Sequence, residues 1–344
     1  MDLHPQLADI GTYGADGFGL ICGYRFEHGR PGQAVTATAA MAWLGQGDLA
    51  QGSFVWLHFN LSHAQAEAWL HANADLPDDF YDALRGDSRA SRIHRDSDHV
   101  FAVINDVTFD FSFDATDMAT LWVNVRQGLV VSARRHPLRS VDRLRAAVKR
   151  GERFHTGVAL LGHLLRDQAD ELQHIARKAG DRVDDIEDQM LARRGSPHGA
   201  ELARLRHLAV RLNRLMSPEP GALLRMLSNP PTWMKADDAQ RLREASDDFG
   251  IALRDVTALQ DRIKLLQDET ASRVAEENNR SLFLLTMVTV LALPINLAAG
   301  LLGMNVGGIP LAQHPEGFWI VVIAIAAATG LIAVLAWRKL HTKR

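Results

Sequence analysis

The chain has a single cysteine, Cys22, in 344 residues. No disulfide can close within it, and no multi-cysteine zinc site can be built. Cys22 lies in the apolar stretch FGLICGYRF, where a buried small side chain is the expected role. An excess of one charge is lacking too: 38 Lys and Arg stand against 41 Asp and Glu, a net charge of −3. The two signs are mixed through the body, which argues against a nucleic-acid partner. There is no G-x-x-x-x-G-K-[ST] loop, and no G-x-G-x-x-G between a strand and a helix, so neither enzymatic nucleotide chemistry nor a bound cofactor is expected. The most informative absence is local. From Ser281 to Pro315 there is no Asp, Glu, Lys or Arg, and Phe318 to Trp337 is equally bare, whereas charges are dense up to Arg280.

Two solvents are implied. The runs Ser281–Leu302 and Phe318–Trp337 each meet the roughly 20 residues that a helix needs to cross a bilayer. Arg280 precedes the first, Arg338, Lys339, Lys343 and Arg344 follow the second, and the loop from Gly303 to Gly317 has no Lys or Arg. Basic flanks stay on the cytoplasmic side, so both termini are expected there, in a multi-pass inner-membrane protein whose partner is the lipid bilayer. The N-terminal stretch MDLHPQLADIGTYGADG has neither the basic start nor the apolar core of a secretory signal.

Ahead of the spans, β-rich runs recur at Phe18, Ser53, His99 and Ala119, with Gln127-Gly128 as a hairpin turn and helical segments at 64–72 and 78–86. Residues 1–150 are read as a cytoplasmic α/β domain. After His136-Pro137 helices take over. One is expected from about Thr156 to Arg193, broken by Gly195-Ser196-Pro197, and a second from Glu201 to Ser217-Pro218 makes residues 151–230 a helical hairpin. Beyond Pro231, Leu242, Ala245, Phe249, Ala252, Val256, Leu259, Ile263 and Leu266 alternate steps of three and four, and the next proline is Pro294. This pattern predicts one unbroken helix from about Pro231 to Met304, a stalk over 231–280 and a first span over 281–304, on the order of 110 Å long.

The membrane half of that helix keeps a stripe of small and polar residues: Asn279, Leu282, Thr286, Thr289, Leu293, Asn296 and Gly300. Polar side chains in a lipid-facing helix forfeit hydrogen bonds, so they turn toward protein or a wet cavity. Ordinary helix packing and the lining of a pore both satisfy this. Asn296, at mid-depth, weighs toward the pore because its amide needs partners that hydrocarbon cannot supply.

Just past the span stands Gly303-Met304-Asn305 within GLLGMNVGGIP. Here the chain resembles the CorA family of divalent-metal transporters, whose signature is a Gly-Met-Asn tripeptide closing the first of two C-terminal spans, and in the longer string its zinc-transporter branch. The resemblance implies an α+β cytoplasmic domain, an α/β/α sandwich with a mixed sheet, followed by a long helical stalk and two transmembrane helices, assembled as a funnel-shaped homopentamer. It implies a periplasmic loop over 305–317, a second span over 318–337 facing lipid, and a basic cytoplasmic tail over 338–344. Asn305 would stand in a ring at the outer mouth, presented by Gly303 and Met304, where amide oxygens meet a hydrated cation without stripping its water. Glu316 would add a ring of charge, unless it is simply a solvated carboxylate. Leu282, Leu285 and Leu293 match a hydrophobic constriction, with Asn279 at its inner end. Asp268 matches a carboxylate of metal-sensitive gating in the magnesium branch; a salt bridge to Arg262 or Lys264 on neighbouring helices would explain it equally well.

The transported cation implied is Zn2+, with proton-coupled uptake. No Cys or His lies between Ser281 and Gln313, which argues against tight coordination in the membrane. His314 and Asp268 are the weak metal candidates, and Asp184-Asp185 with Glu187-Asp188 reads first as a solvated face. A Mg2+ or Co2+ channel of the same architecture and a membrane-tethered scaffold or sensor remain open alternatives.

Overall fold

The computed structural model describes residues 17–27, 30–46, 52–86, 90–192, 199–304 and 314–341. The chain divides into two units between Gln267 and Asp268.

The N-terminal unit is built on a seven-stranded mixed sheet in the order β2-β1-β3-β7-β6-β5-β4. Its strands are β1 Leu20–Phe26, β2 Gln33–Ala34, β3 Phe54–Asn60, β4 Arg92–Asp96, β5 His99–Val107, β6 Met118–Arg126 and β7 Leu129–Arg134. Only β3 and β7 pair in parallel, with Val55 beside Leu129 and Asn60 beside Arg134. The central strands are nearly continuous runs of apolar residues because both faces are covered. Along β3, Phe54 and Trp56 enter one core while Val55, Leu57 and Phe59 enter the other. Helices α1 Ala37–Leu44, α2 Ala66–Asn73 and α3 Asp78–Arg85 cover the second face through Ala40, Leu70 and Phe80. The first face is covered by α4 Arg139–Lys149, the start of α5 Gly157–Leu191, α7 Pro218–Leu227 and the start of α8 Ala236–Leu302. This is the α/β/α sandwich with a mixed sheet that the sequence suggested.

Gly128, at φ +79°, closes the β6–β7 turn at the Gln127-Gly128 pair. Thr156 caps α5 by accepting from Ala159 N at 3.0 Å, and its hydroxyl donates to Asp238 in the first turn of α8 at 2.7 Å. Gly157 follows because a Cβ there would stand 2.6 Å from Val130 Cγ2; α5 starts against β7 with no room for a side chain.

Away from the sheet, α5 and α8 pack with α6 Gly199–Met216. Leu172 and Ile175 of α5 share a cluster with Leu208 and Leu212 of α6 and with Phe249 and Val256 of α8. Further along, Val183 and Ile186 meet Leu202 and Leu205, together with Leu259 and Ile263. The order of these contacts makes α6 antiparallel to α5, and α8 parallel to it. All eight positions of the three-four stripe are buried, which is why the stripe is there.

Four elements depart from the sequence reading, the first being the two-residue edge strand β2, whose residues are both exposed. The β4 strand, RIHRD, is an edge strand with only Ile93 buried, so it carries no alternating apolar signal. The α7 helix begins at Pro218 and contains Pro220 and Gly221, residues that read as breakers; both prolines fall in its first turn, where backbone N–H groups have no partner within the helix. The short α1 helix, ATAAMAWL, is buried only through Ala37 and Ala40. The expected break at Gly195-Ser196-Pro197 lies outside the described residues.

Leu242, fully buried between α8 and its neighbours, tests the packing that fixes the head of the long helix. Leu242→Ala should cost about 2–5 kcal/mol and lower the thermal midpoint followed by tryptophan fluorescence. The exposed neighbour Arg243→Ala should stay within about 0.5 kcal/mol of the parent.

Candidate functional site

The α8 helix runs unbroken over 67 residues and contains Pro294. Among the described residues, its membrane half and α9 Gly317–His341 are the two helices long and apolar enough to cross a membrane. None of the apolar window of α8 is buried within the chain.

The polar stripe is on one face and uncovered. Asn279, Leu282, Thr286, Thr289, Leu293, Asn296 and Gly300 are all exposed. The partly covered positions of the same stretch include Met287, Leu291, Pro294 and Ala298. At 3.6 residues per turn the two sets are centred roughly 150° apart around the helix. Leu285 lies on the flank of the polar set and is exposed like Leu282 and Leu293. On α9 the partly covered positions Val321, Ile325, Thr329 and Ile332 also recur at helical spacing.

Thr286 and Thr289 donate back to the carbonyls of Leu282 and Leu285 at 2.8 and 2.9 Å. Their hydroxyl protons are satisfied in the helix, and their oxygen lone pairs remain free to accept from water. The Asn296 side chain forms no hydrogen bond among the described residues, so both ends of its amide stay available.

At the end of α8, Gly303 N donates to Ala299 O at 2.9 Å, and a Cβ on Gly303 would lie 3.0 Å from the same oxygen. The glycine lets the chain leave the helix tightly, and exposed Met304 follows. Asn305 lies outside the described residues. On the far side of the loop, His314 Nδ1 accepts from Glu316 N at 3.3 Å and its carbonyl accepts from Gly317 N at 3.0 Å, so His314 caps the start of α9. Glu316, exposed, stands immediately before that helix, where a carboxylate is favourably placed against the helix dipole.

Other candidates fare differently. Asp268 is exposed, and Arg262 bridges to Asp184 and, at 2.5 Å, to Glu187. Two carboxylates of the acidic group on α5 are thereby neutralised. Among the described residues no group of three or more His, Cys, Asp or Glu side chains is arranged to hold a metal ion. Cys22 is partly buried against the first core, and desolvation pushes its thiol up to about 12 despite Arg145 beside it. It is a poor nucleophile.

A family model described as CorA-like Mg2+ transporter protein matches residues 51–339. The chain belongs to this CorA-like family. Members of the family are membrane transporters of divalent cations, and the two apolar helices of this member are its candidate spans. Among curated relatives, the divalent cation transporter CmaX of Pseudomonas aeruginosa is 30% identical over 324 residues, 93% of this chain and 94% of its own. The zinc transport protein ZntB of Yersinia pestis is 29% identical over 286 residues, 82% of this chain and 85% of its own. Among solved structures, full-length CmaX superposes with a TM-score of 0.77 at 27% identity, covering 95% of this chain and 99% of that one. The CorA magnesium transporter of Methanocaldococcus jannaschii has the same fold, with a TM-score of 0.71 at 17% identity over 91% of this chain and 96% of that one.

The sequence marks the polar stripe but not the partly covered face opposite it, although Met287, Leu291, Pro294 and Ala298 recur at the same spacing. In an all-apolar helix every face looks alike until polar residues mark one. The Arg262 bridges were invisible as well, since they join residues about 75 positions apart. They are solvent-exposed, so Arg262→Ala should change the thermal stability by no more than about 1 kcal/mol, an effect that added salt abolishes.

Proposed function

We propose that this chain forms a homopentamer of the inner membrane, with both termini cytoplasmic, and that it carries divalent cations, Zn2+ foremost, through an axial pore lined by the first span. The observation that supports this reading is the uncovered polar face of α8, set opposite the partly covered one. Five copies turned inward would bring Asn279, Thr286, Thr289, Asn296 and Gly300 to a common axis. Their amide and hydroxyl oxygens are neutral acceptors, suited to water bound on a cation and too weak to trap the ion. Leu282, Leu285 and Leu293 would interrupt this lining with apolar rings that close the path by expelling water.

At the outer mouth, Asn305 would hold the hydrated ion, with Gly303 and Met304 setting the turn. Glu316 would raise the local cation concentration. Zn2+ rests on the kinship with ZntB and on the string GLLGMNVGGIP. The lining has no thiolate or imidazole, so the cation would pass with its water shell rather than through direct ligation. Nothing in the stripe ionises near neutral pH, so proton coupling, if this member shares it, must use groups elsewhere.

Reconstituted vesicles loaded with a zinc-sensitive dye test the reading. The wild-type protein should admit Zn2+, and Asn305→Ala should lower the flux toward that of protein-free vesicles while the pentamer persists in native mass spectrometry. Entry of Mg2+ without Zn2+ would reassign the cargo. No flux of either ion would leave a membrane-tethered scaffold or sensor.

Asn296→Leu separates lining from packing. It should reduce flux and leave the oligomer intact; dissociation of the oligomer would instead make Asn296 an interhelical contact.

A further inference from the structure

Where β5, α5 and α7 meet, the interior is polar rather than apolar. Glu219, in the first turn of α7, is 2% exposed, Gln168 of α5 is 1% exposed, and Asn105 and Asp106 of β5 are equally buried. Gln168 Nε2 donates to Asn105 O at 2.7 Å and, weakly, to Glu219 Oε2 at 3.3 Å. Ser91 accepts from Asn105 Nδ2 at 3.1 Å and bonds Glu219 in turn. Two oxygens are left over: Glu219 Oε1 and Gln168 Oε1 are both buried and both without a hydrogen-bond partner.

Two nearby carboxylates serve as internal controls. Glu171 of α5 is as buried as Glu219 but receives Arg139 at 2.5 Å and Arg143 at 2.7 Å, both from α4. Asp106 has no cation, yet accepts three short bonds, from Val107 N at 2.8 Å and from Ser140 N and Oγ at 3.0 and 2.5 Å. Both are provided for as anions. Glu219 has no cation and fewer donors among the described residues. The charged group acting on it is Asp106, which repels. The Arg139 and Arg143 guanidiniums are engaged by Glu171, β4 sends Arg95 to the other end of α7 at Asn229 and Pro230, and α8 faces this end of α7 with Ser246. A buried anion so placed costs several kcal/mol, which a proton removes.

We propose that Glu219 is a proton-binding site. At neutral pH its carboxyl is protonated on Oε1, which makes it a donor able to meet an orphaned oxygen such as Gln168 Oε1. In alkaline conditions it loses the proton and loosens α7 from β5 and α5. In keeping with this, burial pushes Glu219 from its ordinary 4.5 up to about 8, whereas Asp106, with its three donors, reaches only about 6. The site reaches the long helix directly: Ser246 of α8 donates to Pro220 O at 3.4 Å, and Leu242 and Ala245 share a core with Leu223 and Met226 of α7. It supplies this transporter with a proton-sensitive group outside the candidate pore.

A raised acid stabilises the fold when protonated, and this stabilisation is lost as pH rises from about 4.5 through about 8. Glu219→Gln carries a permanent donor in place of the proton. In the full-length protein in detergent, the thermal midpoint of the wild type should fall relative to that of Glu219→Gln between about pH 6 and pH 8, and the gap should level off above. Glu219→Ala should be less stable than both at pH 6. Infrared spectra should show a protonated carboxyl band at pH 7 that fades by pH 9 and is missing from Glu219→Gln. Parallel pH profiles for wild type and Glu219→Gln, absence of that band, or a Glu219→Gln variant as unstable as Glu219→Ala at pH 6 would overturn the assignment.

Discussion

Hydrocarbon offers no partner to a backbone N–H or C=O, so a chain that enters it must satisfy its own backbone, and a continuous helix is the simplest way to do so. The rest of this protein follows from where α8 meets that constraint. For its first thirty or so positions the helix is held by tertiary packing, with Leu242, Phe249, Val256 and Ile263 sunk among α5, α6, α7 and the sheet. From Asp268 onward almost nothing in the chain covers it. One helix thus serves two solvents, and its sequence changes character where the solvent changes.

The uncovered half sets a different problem. A membrane helix can expose leucine to lipid at no cost, but the side-chain amides of Asn296 and Asn279 have no partner among the described residues, and polar groups in that position seek protein or water. Thr286 and Thr289 solve the same problem locally by bonding to the preceding turn. The face therefore tolerates both hydration and closure, a property that a conducting path needs and a lipid anchor does not. The N-terminal unit works under the opposite rule. There both faces of the sheet are packed by helices, and the buried Glu171 is held by two arginines.

Much of this was legible from residue order. The strands β1, β3, β5, β6 and β7, the Gln127-Gly128 turn, α5, and α8 to within a few residues of its ends were visible, because long periodic segments carry their burial pattern in sequence. Elements whose burial is slight or whose residues look like breakers were not. Ile93 alone cannot announce β4, and Pro218 with Pro220 masks α7 until their place in the first turn is known.

The sequence by itself determined the class of the protein. Two uncharged runs with basic flanks give the candidate spans, and Gly303-Met304-Asn305 at the end of the first carries the resemblance to the family, because both are properties of consecutive residues. Only the tertiary structure decided the state of the charges. Whether a carboxylate is an anion, a salt-bridge partner or an acid depends on which distant residues surround it. Glu171, Glu187 and Glu219 look alike in the chain, yet two arginines of α4, Arg262 of α8 and a cation-free interior make them three different groups.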